Sequence, residues 1–208
     1  MNFQTEKLFT ENKIKYNLPE AEIDYFPEFF SREKSLHFLT RLLETIKWKQ
    51  NTIKMYGKEN PVPRLEAWYG DPGKSYAYSG IRMEPNTWTD ELNEIKRSIE
   101  SEVAISFNSV LINYYRDGQD RVAWHSDDEK ELGTHPFIAS LSFGAKRIFH
   151  FRHKLDTNLK FKIELEPGSL LLMGGPTQEF WKHQIPKTKR KIDPRVNLTF
   201  RRIKDKTD

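Results

Sequence analysis

Apolar residues recur at helical spacing in two segments of the N-terminal half of the chain. The first helix is predicted to begin near Ser31, which has the side chain of an N-cap residue. Its apolar stripe comprises Leu36, Leu39, Leu42, Leu43 and Ile46. The second helix is predicted over residues 89–105 with Thr89 as its cap, and its stripe comprises Leu92, Ile95, Ile99 and Val103.

From residue 110 onward, short apolar segments are separated by glycine and proline, which is typical of strands joined by turns. The predicted strands cover residues 110–115, 137–143, 147–152, 159–165, 169–173, 179–185 and 195–203. Residues 51–56 and 62–69 are also predicted to be extended, with residues 57–61 as a hairpin tip. The pattern favours a mainly β protein with flanking helices (α+β), a sandwich or jelly roll with the N-terminal helices packed on one sheet.

The composition suits one folded domain, since 37% of the 208 residues are hydrophobic and 31% are charged. Residues 1–18 are polar and rich in lysine, and we expect a loose arm or a short edge element there. Residues 19–208 are predicted to form a single domain, because they contain no linker-like stretch. Cysteine is absent, which excludes disulfides and thiolate metal sites.

No apolar run approaches the length of a membrane span, and no signal-type stretch follows Met1. We therefore expect an intracellular protein, cytoplasmic or nuclear, that does not bind membranes. A monomer is a separate expectation. The net charge of +4 favours a polyanionic partner, although many basic proteins bind no nucleic acid.

Two histidines and one carboxylate have the residue types of a non-haem Fe(II) site. His125 and Asp127 are two residues apart, so in extended backbone their side chains point to the same side. His183 lies in a later predicted strand, so the three meet only when the sheets assemble. Taken alone, the His-x-Asp pair is weak evidence for a metal site, because it also occurs by chance in surface or N-cap roles. A second pair, His150 and His153, is interpreted as facing the solvated end of a strand.

Alternation on the last predicted strand supports the iron site. Its polar face comprises Arg195, Asn197, Thr199 and Arg201. An amphipathic strand with its polar face in water would show the same alternation. Here, however, the strand follows the third candidate ligand, and a planar guanidinium binds a carboxylate through two hydrogen bonds. The combination predicts an oxygenase whose iron works with a carboxylate cosubstrate.

These residues together resemble the AlkB family of Fe(II)/2-oxoglutarate oxygenases. The resemblance extends to Pro63-Arg64, to residues 67–70, to residues 124–129 and to residues 138–145, and it covers the chain from about residue 20 to 203. The segments are most similar to animal AlkB homologues that repair alkylated nucleic acids. The resemblance implies a double-stranded β-helix (jelly-roll) core that uses Fe(II), 2-oxoglutarate and O2.

The resemblance also implies a role for each matching residue. The iron ligands are His125, Asp127 and His183. The residues that bind 2-oxoglutarate are Asn113, Tyr115, Arg195, Asn197, Thr199 and Arg201. Arg195 matches the arginine that takes the distal carboxylate, and Arg201 matches the one nearer the keto-acid end.

Substrate contacts are implied in hairpins at about residues 50–80 and beside the iron. An enzyme that acts on a base must take the base out of the stack. Tyr76 and Tyr78 match a base-contacting segment, although alternating tyrosines are equally typical of half-buried strands. Asp128 matches an acceptor for an exocyclic amine, and it also fits a solvated acid in a charged run.

The segment at Tyr56, Gly57 and Lys58 resembles the finger with which one duplex-acting AlkB homologue fills the gap left by the flipped base. Tyr56 would be the wedge and Lys58 a phosphate contact. The family's wedge is a different aromatic residue, and an aromatic beside a glycine turn is common in any hairpin.

The resemblance therefore implies oxidative demethylation of alkylated bases such as 1-methyladenine and 3-methylcytosine in DNA, with release of succinate, CO2 and formaldehyde. Two alternatives remain open from the sequence. The first keeps the chemistry and moves the substrate to RNA or protein. The second is a nucleic-acid-binding protein with a vestigial oxygenase site, against which the intact triad and both arginines argue.

Overall fold

A computed structural model describes residues 13–55, 58–78 and 81–204 of the protein. Two large antiparallel sheets and two small hairpins make up most of this part. The strands are β1 (Ile14–Leu18), β2 (Ala21–Phe26), β3 (Thr52–Met55), β4 (Lys58–Pro61), β5 (Leu65–Gly70), β6 (Tyr76–Tyr78), β7 (Ile81–Met83), β8 (Ser109–Tyr115), β9 (Val122–His125), β10 (Ile138–Gly144), β11 (Arg147–His153), β12 (Lys160–Leu165), β13 (Leu170–Gly174), β14 (Trp181–Ile185) and β15 (Arg195–Arg201). The helices are α1 (Arg32–Thr45), α2 (Asp90–Val103) and the short α3 (Thr177–Phe180), with a 3-10 turn at Lys130–Leu132.

The major sheet has seven strands in the order β1-β2-β13-β10-β15-β8-β5, and the minor sheet has four in the order β12-β11-β14-β9. A core that includes Trp68, Leu171, Phe151 and Trp181 lies between the two sheets. The other face of the major sheet packs on α1 and α2. This arrangement confirms the predicted mainly β class, a jelly roll with helices on one sheet.

The two long helices begin where the sequence predicts. The Ser31 Oγ accepts a hydrogen bond from the Lys34 backbone N–H, and Thr89 caps Leu92 in the same way. The predicted stripe of α2 is confirmed, but the stripe of α1 is wrong at Leu36, which is 63% exposed. Phe38 is fully buried instead, because it lies within about 40° of Leu42 around the helix and Leu36 lies about 120° away. No helix in the described ranges combines the length and apolar character needed to cross a membrane.

Residues 14–18 form edge strand β1, which agrees with the short edge element that was one of the two expectations for the N-terminal segment. Strand β1 pairs with β2, which was not predicted. The predicted hairpin tip at 57–61 is wrong, because 58–61 form β4 opposite β3, and β5 begins only at Leu65. Residues 179–180 belong to α3 rather than to the following strand.

Strand β15 is an inner strand of the major sheet, and its alternation determines where the candidate site lies. Val196, Leu198 and Phe200 point to the helices and belong to the core on that side. The four intervening polar residues, Arg195 to Arg201, therefore point to the minor sheet. All seven residues of β15 are buried, so the polar face does not lie in water.

Candidate metal and cosubstrate site

The three predicted iron ligands meet between the two sheets. His125 ends β9 and pairs in register with His183 of β14, and Asp127 follows two residues after His125. Their candidate ligand atoms all lie within 4.8 Å of one another. The pairing of two strands that are far apart in sequence thus assembles the predicted set.

Neighbouring groups orient the two histidines. The Nδ1 of His125 lies 2.8 Å from the Ala123 carbonyl oxygen. A carbonyl only accepts hydrogen bonds, so Nδ1 carries the proton in this contact and Nε2 is left for a metal. The His183 ring lies edge-on to the His125 ring at 4.3 Å between centroids and packs against Phe149 at 5.0 Å.

The carboxylate of Asp127 is held from two directions. Arg201 Nη2 donates to its Oδ1 at 2.6 Å, and its own backbone N–H donates to the Gln178 side-chain oxygen at 2.9 Å. Its Oδ2 lies 3.7 Å from the His183 Nε2. These contacts fix the position of the Asp127 carboxylate.

The protonation states also suit a metal site. Burial raises the pKa of Asp127, but attraction to Arg201, His183 and His125 outweighs it and holds the pKa well below its usual range. Burial lowers the pKa of His125, and burial together with His125 lowers the pKa of His183 to about 3. At neutral pH the site therefore offers one carboxylate and two neutral imidazoles, which is the deprotonated set that a divalent metal requires.

Arg195 lies at the opposite end of β15 from Arg201 and is almost fully buried, with 1% of its surface exposed. Its Nη2 donates to the Ser142 hydroxyl at 2.8 Å, and the guanidinium lies 5.2 Å from the centre of the Tyr115 ring. Among the described residues, its Nε and Nη1 find no hydrogen-bond partner. Burial lowers its pKa to about 10, so the group is still a cation at neutral pH. A buried cation with unused donors is what a ligand carboxylate requires.

The remaining predicted cosubstrate residues form a hydrogen-bonded wall between the two arginines. The Asn197 amide donates to the Ser140 hydroxyl and to the Leu141 carbonyl, each at 2.9 Å, and Thr199 donates to the Asn197 side-chain oxygen at 3.2 Å. On the adjacent strand β8, Asn113 lies opposite Asn197 and Tyr115 lies opposite Arg195. The hydrogen bonds therefore fix the orientations of the Asn197 and Thr199 side chains.

One cavity of about 730 Å³ brings the candidate ligands and the predicted cosubstrate residues together. Its lining includes the three metal-ligand candidates, the six predicted cosubstrate residues and Asp128. The donor set at one end fits Fe(II), and the partly unsatisfied Arg195 fits the distal carboxylate of a keto acid bound to that metal. The residues present therefore fit both groups.

The predicted substrate contacts are placed only in part. Asp128 lines the cavity, and its half-exposed carboxylate accepts from Lys154 Nζ at 3.1 Å. Lys58 lies in β4, and Tyr76 and Tyr78 lie in β6, but their side chains are outside the described part of the structure. Tyr56 and Gly57 lie outside the described residues.

Three residues that support the site were given no role from the sequence, although they lie in segments that match the family. Arg64 is buried in the cavity wall, donates from Nε to the Asn113 side-chain oxygen at 2.7 Å and pairs with the buried Glu66 at 2.5 Å. Ser140 and Ser142 could have been recognised from the sequence, because small polar residues at alternate positions of an apolar strand indicate a polar site on one face.

The interpretation of His153 was wrong. It is 5% exposed, lies 2.8 Å from Glu20 through Nε2 and accepts from the Asp156 backbone N–H through Nδ1. His153 therefore packs in the interior rather than in solvent, and its hydrogen bond to Asp156 stabilises the loop that follows β11.

Comparisons with known proteins agree with this geometry. Residues 22–201 match the family described as the 2OG-Fe(II) oxygenase superfamily. The chain is 43% identical to the alpha-ketoglutarate-dependent dioxygenase alkB homolog 3 of Mus musculus over 192 residues, which cover 88% of this chain and 66% of that protein. It is 38% identical to the DNA oxidative demethylase ALKBH2 of Bos taurus over 208 residues, which cover 96% of this chain and 70% of that protein.

The match thus spans just under two thirds of the mouse relative's length. Among solved structures, that of OsALKBH1 superimposes with a TM-score of 0.66 at 15% identity and covers 90% of this chain and 99% of its own. At that identity the likeness concerns the fold, which it supports as a jelly roll.

Proposed function

The chain belongs to the 2OG-Fe(II) oxygenase superfamily and, within it, to the AlkB homologues, and from this we propose that it oxidatively demethylates alkylated bases in DNA. 1-Methyladenine and 3-methylcytosine are the expected lesions. The observation that carries the proposal is the presence, in one cavity, of a His-Asp-His set and a buried arginine with unused donors. A DNA substrate is favoured over RNA or protein because the relative from Bos taurus is named a DNA oxidative demethylase.

When bound, Fe(II) with 2-oxoglutarate and O2 supplies the oxidation that turns an N-methyl group into an unstable hydroxymethyl group, and the products are the restored base, formaldehyde, succinate and CO2. The protein's own residues bind, orient and exclude water. His125, Asp127 and His183 would hold the metal from one side of the cavity.

The two arginines divide the cosubstrate site between them. Arg201 is engaged with the Asp127 carboxylate and so lies at the metal end, where it fixes the ligand. Arg195 lies six residues away along the strand, with donors that remain available for the distal carboxylate. Asn197 and Thr199 are fixed by their neighbours and line the space between. This supports the assignment of the distal carboxylate to Arg195.

The base would enter from the open side of the cavity, past Asp128. Its carboxylate is exposed beside the metal ligand and can accept from an exocyclic amine once Lys154 is displaced or shared. Tyr76, Tyr78, Tyr56, Gly57 and Lys58 remain predicted contacts. A DNA substrate would place the protein in the cytoplasm or the nucleus, and the monomeric state likewise remains a prediction.

The test is a turnover assay with matched strands. Iron-loaded protein is incubated with 2-oxoglutarate, ascorbate and oligonucleotides that carry 1-methyladenine or 3-methylcytosine, as DNA and as RNA, single-stranded and duplex. We expect the DNA strands to lose the mass of the methyl group only when 2-oxoglutarate is present. Loss from RNA alone would move the substrate to RNA, and succinate formation that never depends on a nucleic acid would contradict the proposal.

A further inference from the structure

The outer face of the minor sheet carries a concentration of positive charge. Its inward residues belong to the core, and its outward residues include Lys160, Lys162, His150, Arg152, Lys182 and Trp124, which we call the basic face. Glu164 is the acidic residue at the outward positions of these four strands. The four cations of the basic face are Lys160, Lys162, Arg152 and Lys182. None of them forms an ion pair with another described residue.

Three of these cations form a row that leads to the cavity. Lys160 pairs in register with Arg152, and Arg152 pairs in register with Lys182. Strands lie about 4.8 Å apart, so the row crosses roughly 10 Å of the sheet. Lys182 and Trp124 both line the cavity that holds the metal-ligand candidates. The row therefore connects the edge of the minor sheet to the mouth of the site.

The arrangement is unfavourable for the isolated protein. Like charges directly opposite each other on adjacent strands destabilise a sheet, and here three cations are opposite one another. Lysines on the edge strand β12 alone could be explained as protection against edge-to-edge association. That explanation does not cover Arg152 and Lys182, which lie on inner strands.

Trp124 adds an aromatic surface at the end of the row. The Arg152 guanidinium lies 4.4 Å from the centre of its ring, and His150 lies 6.5 Å from it on the same face. Cations interleaved with a partly exposed aromatic are the combination that binds single-stranded nucleic acid, since the cations follow the backbone and the ring accepts a base.

We propose that the basic face binds the sugar–phosphate backbone of a single DNA strand where that strand leaves the cavity. The inference rests on the proposed function for its choice of DNA. It assigns Lys160 and Lys162, which no step of the demethylation uses, to substrate binding. Anionic phosphates bound along the row would relieve the repulsion among its cations.

The test compares two charge-matched double variants. Lys160→Gln with Lys162→Gln removes two cations of the basic face, and Lys47→Gln with Arg97→Gln removes two exposed cations on the helix side of the major sheet. Binding of an unmodified single-stranded DNA 15-mer is measured by fluorescence anisotropy over a range of salt concentrations. The iron-loaded 208-residue chain is used under anaerobic conditions and without 2-oxoglutarate. Thermal melting confirms that both variants fold.

Each phosphate contact on a single strand contributes about 0.7 to the slope of log affinity against log salt. The slope of the basic-face variant should therefore be smaller by about 1.4. When the salt is lowered from 1 M to 0.1 M, the affinity of this variant should rise about 25-fold less than that of the wild type. The control variant should bind like the wild type. Equal affinity and slope in all three proteins, equal losses in both variants or no binding by the wild type would overturn the proposal.

Because this readout needs no methyl group and no turnover, the two proposals fail separately. If the basic-face variant alone lost binding but the wild type demethylated nothing, the proposal for the basic face would stand and the proposed activity would be contradicted. Normal demethylation of DNA with unchanged binding would do the opposite.

Discussion

Replacement of Arg195 by methionine should make the metal-free protein more stable while impairing its use of 2-oxoglutarate. Burial depresses the pKa of this arginine from its ordinary value of 12.5 to about 10, which corresponds to a free-energy cost of about 3 kcal/mol for the charged form in the folded state. A cation with a depressed pKa carries this cost fully at every pH below its folded value. The cost is therefore present at pH 7.

Methionine fills much of the same volume without the charge. The substitution also removes the hydrogen bond to Ser142, a loss of about 1 to 2 kcal/mol. The net gain for the unliganded protein is then about 1 to 2 kcal/mol. For a domain of this size that raises the Tm by roughly 2–8 °C.

The same substitution removes the donors available to the distal carboxylate. Two charge-assisted hydrogen bonds contribute about 3 to 5 kcal/mol, so the KM for 2-oxoglutarate should rise about 150- to 5000-fold. Succinate formation at varied 2-oxoglutarate gives the KM, and thermal melting of the iron-free protein gives the Tm. Arg195→Lys is the matched control, since it keeps the charge and should raise the KM without raising the Tm. A methionine variant with a lowered Tm and an unchanged KM would refute this reasoning.

Three further substitutions test other parts of the account. Asp127→Asn should abolish turnover because an amide is a poor iron ligand, and the weakened contact to Arg201 should lower the Tm by roughly 4–8 °C. Succinate formation measures the turnover, and melting curves measure the Tm. Retained turnover would contradict the ligand assignment. Tyr56→Ala should slow repair of duplex DNA more than repair of single strands, because a wedge is needed only where a base leaves a stack; equal losses on both substrates would remove the wedge. Ala104→Gly should raise the Tm by roughly 1–4 °C, because Ala104 ends α2 at φ 53 and glycine adopts that conformation without strain; an unchanged or lower Tm would show that the strain is absent.

Two of the three candidate metal ligands could be predicted because their signal is local. His125 and Asp127 lie two residues apart next to a strand, and the alternation of β15 marks a polar face whatever the fold. What alternation alone does not reveal is which side of a strand meets water. The polar face of β15 lies against the minor sheet, and only the order of strands in space excludes the solvent-exposed interpretation.

The supporting contacts could not be predicted from one sequence because they join distant segments. Gln178 accepts from the Asp127 backbone N–H across 51 residues, and Arg64 donates to Asn113 across 49 residues. Strand β2 was missed for a similar reason, since its charged residues weaken the local pattern and its pairing with β13 supplies the order. Leu36 shows the converse limit, because a leucine at nearly helical spacing can still lie outside the buried arc.

The most direct test of the central claim follows the fate of one methyl group. Iron-loaded protein acts on a single-stranded DNA oligonucleotide with one 3-methylcytosine, and the restored base, formaldehyde and succinate are quantified in the same reaction. We expect the restored base and formaldehyde to form in equal amounts and neither to appear without 2-oxoglutarate. A folded, iron-loaded protein that leaves the methylated base intact, or that consumes 2-oxoglutarate without releasing formaldehyde, would contradict it.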